Sequence, residues 1–225
     1  VTIPVSVSGA AHEHCETRGA AISVSRLGLC DYEPVWRKMQ AHTEHRSGAG
    51  DDAIWLLEHR RVFTLGMNGK PEHLLAPGDI PVVEVDRGGQ VTYHGPGQLV
   101  AYLMLDLRAR NLGIRGLVEL LEQSVIDWLA TKGISACARR DAPGVYVDGA
   151  KIAALGLRVR RGCSYHGLSF NVDMDLEPFS RINPCGYAGM EVTQLRDLGV
   201  AGSVETVAQD WLPGLLARLE QQQPE

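Results

Sequence analysis

An α+β fold, one mixed β-sheet with flanking helices, is what the sequence predicts, and three observations predict it. Short strand-like runs recur along most of the chain, tight turns join many of them, and only a few helical repeats intervene, without the strict strand–helix alternation of a doubly wound parallel sheet. The 225 residues, 44% hydrophobic, suffice for one sizeable core. A single domain over 20–219 is expected, with 1–19 as a disordered N-terminal arm and 220–225 as a tail.

The elements follow in order. Residues 1–19 are small and polar, and VTIPVSVSGA lacks the basic flank and continuous apolar core of a secretory signal. His12, Glu13, His14 and Cys15 have metal-binding chemistry but read as part of the arm. A strand near 21–25 precedes a helix starting after Asp31 as cap, with Val35, Trp36 and Met39 on one face. Apolar runs at 53–57, 62–65 and 82–85 read as strands. Gln98 to Leu107 is almost wholly apolar, as in a strand covered on both faces, and Gly95-Pro96-Gly97 turns into it from Val91–His94. Leu117, Leu120, Leu121, Val125, Trp128 and Leu129 repeat at helical spacing up to Gly133. Strands are expected at 134–138, 144–148, 151–159 and 165–172, with Asp148-Gly149 as a tight hairpin turn. Val204, Val207, Ala208, Trp211, Leu212, Leu215, Leu216 and Leu219 form the stripe of a last helix, which Pro213 is expected to kink.

Composition narrows the function. Twenty-two basic against 27 acidic residues give a formal charge of -5, so no global basic field suits nucleic acid or a membrane surface. Five cysteines without regular spacing suit a reducing compartment, and no apolar run approaches membrane-spanning length, so a cytoplasmic enzyme is expected.

Three segments have the residues for chemistry. Arg87 to Gln98 holds four glycines around one short strand whose pleat puts Gln90, Thr92 and His94 on one face, opposite Val91 and Tyr93; it is either a ligand-lined cleft or a solvated hairpin, and it is not a Walker loop. Lys151 shares period-two parity with Ala153, Leu155, Leu157 and Val159, so it either snorkels at the strand end or is desolvated and tuned for proton transfer. Cys185 lies between Pro184 and Gly186 outside any periodic run, unlike Cys30, Cys137 and Cys163; it is an accessible reactive thiol or an idle loop cysteine. Asp173-Met174-Asp175 lacks a third metal ligand and reads as a strand end capping a short helix near Pro178, while His166 shares parity with Leu168, Phe170 and Val172 and reads as a core histidine with one hydrogen bond.

Taken together, RGGQVTYHGPGQL at 87–99, GAKIAALGLRV at 149–159, YHGLSFNVDMDL at 165–176 and INPCG at 182–186 closely resemble the octanoyl-carrier-protein:protein octanoyltransferases, the lipoyl(octanoyl) transferases of lipoate biosynthesis. The resemblance spans about residues 22 to 216 and includes Leu57-Glu58-His59 and Val62 to Gly66; Arg60-Arg61 departs from the family pattern, and the first twenty residues have no counterpart in it. It implies a fold shared with the biotin and lipoate protein ligases. It implies Cys185 as the acyl-thioester nucleophile, Lys151 as the lysine that lowers its pKa, and an acyl and pantetheine site lined by Arg87, Gly88, Gly89, Gln90, Val91, Thr92, Tyr93 and His94, by Ala154, Leu155 and Gly156, and by Gly167, Leu168 and Ser169. It further implies octanoyl-acyl carrier protein as donor, lipoyl domains of 2-oxoacid dehydrogenases and the glycine cleavage H protein as acceptors, no cofactor and no metal, and a monomer is expected. An ATP-dependent ligase on the same fold is the nearest rival, disfavoured by Gly88-Gly89-Gln90 where such ligases carry a third glycine. A non-catalytic binding module is disfavoured by the intact cysteine and lysine. Arg158, Arg160 and Arg161, and Arg139 and Arg140, are either basic groups at the site entrance that would meet an acidic carrier protein or solvated charges at strand ends.

Overall fold

The computed structural model describes residues 12–15, 22–46 and 49–221, with backbone alone for 12–15, 49 and 185. In chain order the elements are β1 His12–Cys15, β2 Ile22–Cys30, α1 Tyr32–Glu44, β3 Ala53–His59, β4 Val62–Leu65, β5 Val82–Glu84, β6 Val91–His94 and β7 Gln98–Met104, followed by α2 Ile114–Thr131, β8 Cys137–Ala138, β9 Gly144–Val147, β10 Ala150–Arg160, β11 Cys163–Asn171 and α3 Val204–Glu220. Eight strands form one mixed sheet in the order β1-β2-β3-β7-β11-β10-β9-β8, and β5-β4-β6 form a second, smaller one. Within the large sheet only β2 and β3 run parallel, joined through α1, as a crossover requires. Of the stretch read as an arm, His12–Cys15 pairs antiparallel with β2 and fills that strand's outer edge, an element the sequence did not suggest. Residues 1–11, 16–21 and 222–225 lie outside the described ones.

The apolar spacing explains the layers. β7 is buried at every position and feeds two cores: Leu99, Ala101 and Leu103 pack under α2 and α3, whereas Val100, Tyr102 and Met104 pack toward α1. The α2 and α3 stripes meet the first core through Leu117, Leu121, Val125 and Leu129 and through Trp211, Leu215 and Leu219, and α3 runs on through Pro213. Ser203 caps α3 by accepting from Thr206 N at 3.2 Å, but Asp31 makes no cap bond to α1 and pairs instead with Arg60. Asp148 and Gly149, both at positive φ, close the β9–β10 hairpin between Val147 and Ala150. Asp175 accepts the Glu177 amide at the start of the 3-10 turn Glu177–Arg181, the capping role its sequence position suggested. A buried anchor, Asp52 between Arg46 and Arg110, fastens the loop before β3 to the one after β7. Among the described residues no helix is long and apolar enough to cross a membrane.

Candidate active site

A cleft lies between the large sheet and the small one. Its floor is laid out by strand register: Val100, Ser169 and Ala154 stand in one row across β7, β11 and β10, and Tyr102, Gly167 and Gly156 stand in another. Two residue steps separate these rows, about 7 Å along the strands. The roof comes from Arg87, Gly89, Gln90, Thr92 and His94. Arg87, only 7% exposed, is held by Thr64, with Nε 3.1 Å from Oγ1 and Nη2 2.7 Å from the carbonyl oxygen, and Nη1 donates to Gly88 O at 2.9 Å. Its stem crosses Gly156 so closely that a Cβ there would stand 3.0 Å from Arg87 Cδ, which explains a glycine in mid-strand. Gly88 does not line the cleft; its amide ties the roof to Leu157 O at 3.0 Å.

At the Tyr102 end the cleft meets a box of rings. Tyr32, His59, His94, Tyr102 and His166 have neighbouring centroids 4.8 to 6.1 Å apart. Hydrogen bonds set their orientation: His59 Nδ1 donates to Cys30 O at 3.1 Å while Nε2 accepts from Tyr102 Oη at 2.7 Å, and His94 Nδ1 donates to Gln98 Oε1 at 2.7 Å. Burial, opposed by the Cys30 carbonyl, lowers His59 to about 4, and burial helped by neighbouring His59 lowers His94 to about 3. Burial pushes Tyr32 up to about 12 and Tyr102 well above the usual phenol range. Burial lowers His166 as well, against the pull of Asp86, which accepts from Nε2 at 3.0 Å. Burial alone would raise Asp86, but hydrogen bonds from His166, Tyr165 and Trp36 hold its carboxyl well below the usual range. The box is therefore uncharged at neutral pH and suits the end of an uncharged chain.

At the other end the cleft runs through Thr92, Ala154 and Ser169 into a small recess lined by Lys151, Pro184 and Val192. Lys151 is 3% exposed, donates from Nζ to Pro143 O at 3.1 Å and stands 5.1 Å from the Tyr146 ring centroid. It does not snorkel. Nor does it keep the parity expected of it, because a bulge between Lys151 and Ala153 lets Ile152 and Ala153 both enter the helix-covered core and re-aims the lysine. Cys185 lies in the 3-10 turn Pro184–Gly186, which packs against β6. The loop after it returns to β10, where Lys151 N donates to Glu191 O at 2.8 Å and Thr193 N to Lys151 O at 2.9 Å. Lys151 and Cys185, 34 positions apart in sequence, are thus brought to one place: the lysine lines the recess and so does Pro184, the first residue of the turn that holds Cys185.

Most of the expected lining residues meet in this cleft. Leu155 and Leu168 border it while their side chains pack into the helix-covered core. Tyr93 does not reach it: the pleat turns its ring to Phe63 and Phe179, with centroids 5.5 and 5.4 Å away, in the core of the small sheet. His166 is buried with one hydrogen bond, as expected, but φ of 59° breaks the strand alternation and turns it to the cleft while Leu168, Phe170 and Val172 stay in the core. Tyr32, Val100 and Tyr102 also line the cleft; they read in the sequence as ordinary helix and strand positions. The two arginine groups are far apart. Arg158, Arg160 and Arg161 follow β10 away from Lys151, nine residues or roughly 30 Å to Arg160, which pairs with Glu44. Arg139 and Arg140 lie at the Lys151 end, next to Asp141, whose carbonyl accepts from Tyr187 Oη in the loop after Cys185. Among the described residues no group of three or more His, Cys, Asp or Glu side chains converges on a metal position, and the side chains of His12–Cys15 lie outside them.

Comparison with known proteins bears on the family and the fold. Residues 31–215 match the family model of the lipoyl protein ligase A/B catalytic domain. A protein named octanoyltransferase from Thiobacillus denitrificans is 65% identical over 185 residues, 82% of this chain and 85% of its own. Another of that name, from Pseudomonas fluorescens, is 66% identical over 171 residues, 76% of this chain and 80% of its own. Among solved structures, a bipartite lipoate protein ligase from Thermoplasma acidophilum superposes with a TM-score of 0.66 at 18% identity, covering 85% of this chain and 82% of that one. The Aquifex aeolicus biotin protein ligase with biotin and ATP gives 0.55 at 14% identity, covering 88% and 70%. These two likenesses concern the fold.

Proposed function

The chain belongs to the lipoyl protein ligase A/B catalytic domain family, and we propose that it transfers an octanoyl group from octanoyl-acyl carrier protein to a lysine of a lipoyl domain through a thioester on Cys185. The observation that carries the reading is that a buried lysine and the turn bearing Cys185 border one recess, which continues into a cleft that ends at the ring box. The octanoyl chain lies along Val100, Ala154 and Gly156 with its end toward the ring box, each buried methylene contributing about 0.8 kcal/mol.

The chemistry follows from a thiolate beside an ammonium. Cys185 Sγ attacks the thioester carbonyl of the donor, the bond to the pantetheine sulfur breaks, and the departing thiolate takes a proton from the Lys151 ammonium. Neutral Lys151 then accepts a proton from the acceptor amine as its nitrogen attacks the octanoyl carbonyl. The carbon–sulfur bond to Cys185 breaks, the amide forms, and the thiolate and ammonium are restored. No nucleotide enters, because the donor thioester already holds the activation. Acceptors are the lipoyl domains of 2-oxoacid dehydrogenases and the glycine cleavage H protein, and the setting is the cytoplasm.

Incubation with octanoyl-acyl carrier protein in buffer free of nucleotide and metal, followed by intact-mass measurement, tests this. An octanoyl adduct that maps to Cys185 and passes to an added lipoyl domain is expected. Dependence on octanoate plus ATP would replace the reading with that of a ligase.

A further inference from the structure

The Lys151 ammonium rests against a peptide that is held from outside its own sheet. Nζ donates to Pro143 O, and the next residue, Gly144, has φ of 147° and no room for a side chain: a Cβ there would stand 2.7 Å from Ala153 O, 3.0 Å from Lys151 Cε and 3.2 Å from Nζ. The Gly144 amide in turn donates at 2.7 Å to Glu122 Oε1, from the middle of α2. Glu122 is 6% exposed on a helix whose other buried positions, apart from Ser124, are apolar. A buried carboxylate is costly to a helix unless its charge is used.

We propose that Glu122 is the positioning residue of Lys151: it clamps the Pro143–Gly144 peptide on which the ammonium rests and sets a negative charge behind it. The proposal deepens the Lys151–Cys185 chemistry above and rests on it. The charge keeps Lys151 protonated while the Cys185 thiolate forms, and the clamp keeps Nζ at the recess. Glu122 itself touches neither substrate nor thiol in this role. The groups facing the pair are few. Lys151 from β10 and Glu119 from its own helix act on Glu122, and Arg115, Arg139 and Arg140 line the groove on its outer side. Tyr146 from β9 and the Cys185 turn face Lys151. Burial raises the Glu122 carboxyl, the Gly144 amide and Lys151 oppose that rise, and Glu119 adds to it.

The test is the pH profile of Cys185 acylation by a small octanoyl thioester, together with iodoacetamide alkylation of Cys185, in wild type, Glu122→Gln, Glu122→Asp and Lys151→Ala. Glu122→Gln keeps an acceptor for the Gly144 amide and removes the charge. Lys151 then loses its proton at lower pH and the thiol ionises more easily, so both limbs of the bell move to the acid side by about half a pH unit or more. Glu122→Asp keeps the charge with a shorter reach, so its limbs stay in place while its plateau falls; this variant carries the test if the Gln protein does not fold, and a displaced bell would then overturn the proposal. Limbs of Glu122→Gln that coincide with wild type, or a rate lowered equally at all pH, would also overturn it. An unchanged profile in Lys151→Ala would instead remove the lysine–thiol chemistry on which the proposal stands, so the two failures are distinct.

Discussion

Lowering the pH from near 7 to near 5 is expected to destabilise the fold through His59 and His94. His59 is 0% and His94 6% exposed, and burial takes the former from 6.5 to about 4 and the latter from 6.5 to about 3. A base whose folded pKa is depressed binds fewer protons folded than unfolded between the two values. Stability is therefore full above 6.5 and falls as pH drops toward about 4 for His59 and about 3 for His94. Each histidine contributes a slope of about 1.4 kcal/mol per pH unit inside its window, so each accounts for about 2 kcal/mol near pH 5. His166, also lowered, acts in the same direction, while the raised carboxyl of Glu122 opposes it over its own range. Against a typical total of about 5–15 kcal/mol, the pair alone removes a sizeable share. Urea titrations followed by circular dichroism near pH 7, 6 and 5 measure the slope, and His59→Gln or His94→Gln should each reduce it by about one proton. A free energy of unfolding that is flat over this range in wild type, or unaltered slopes in both variants, would refute the account of an uncharged ring box.

Other perturbations address single contacts. Cys185→Ala should give no octanoyl adduct by intact mass, and an adduct of full yield would place the acyl group elsewhere. Gly144→Ala should lower stability by about 1–3 kcal/mol and displace the ammonium, read as slower iodoacetamide alkylation of Cys185 at neutral pH. Asp52→Ala takes the carboxylate from between Arg46 and Arg110, both with side chains at most 5% exposed, and should cost about 3–5 kcal/mol in urea unfolding without moving the pH profile of acylation. Tyr102→Phe leaves buried His59 Nε2 without its 2.7 Å partner and should cost about 1–3 kcal/mol.

What was legible in the sequence is local. The apolar run of β7, the Asp148-Gly149 turn and the helical stripes of α2 and α3 each declare themselves within a few residues, because burial on both faces, positive φ and 3.6-residue spacing leave direct marks on residue type. The cleft was legible through its motifs and through the pleat of β6, which set Thr92 and His94 against Tyr93. Parity failed at two places for one reason: the bulge at Lys151 and the left-handed backbone at His166 each interrupt a period-two count, and no residue type announces either. Both interruptions fall on side chains of the cleft or its recess, as expected where a strand must re-aim a group that regular pleating would bury.

Glu122 shows why the rest was hidden. In the sequence it is a glutamate within a helical repeat, and such residues ordinarily face water. What it does depends on Gly144, Pro143 and Lys151, which stand 22, 21 and 29 residues away in sequence and meet it only after β9 and β10 have paired and packed under α2. A role made by assembly rather than by spacing leaves no local pattern. The only trace is Gly144 itself, a glycine at the start of a buried strand, and its meaning requires knowing that an ammonium passes where its side chain would be.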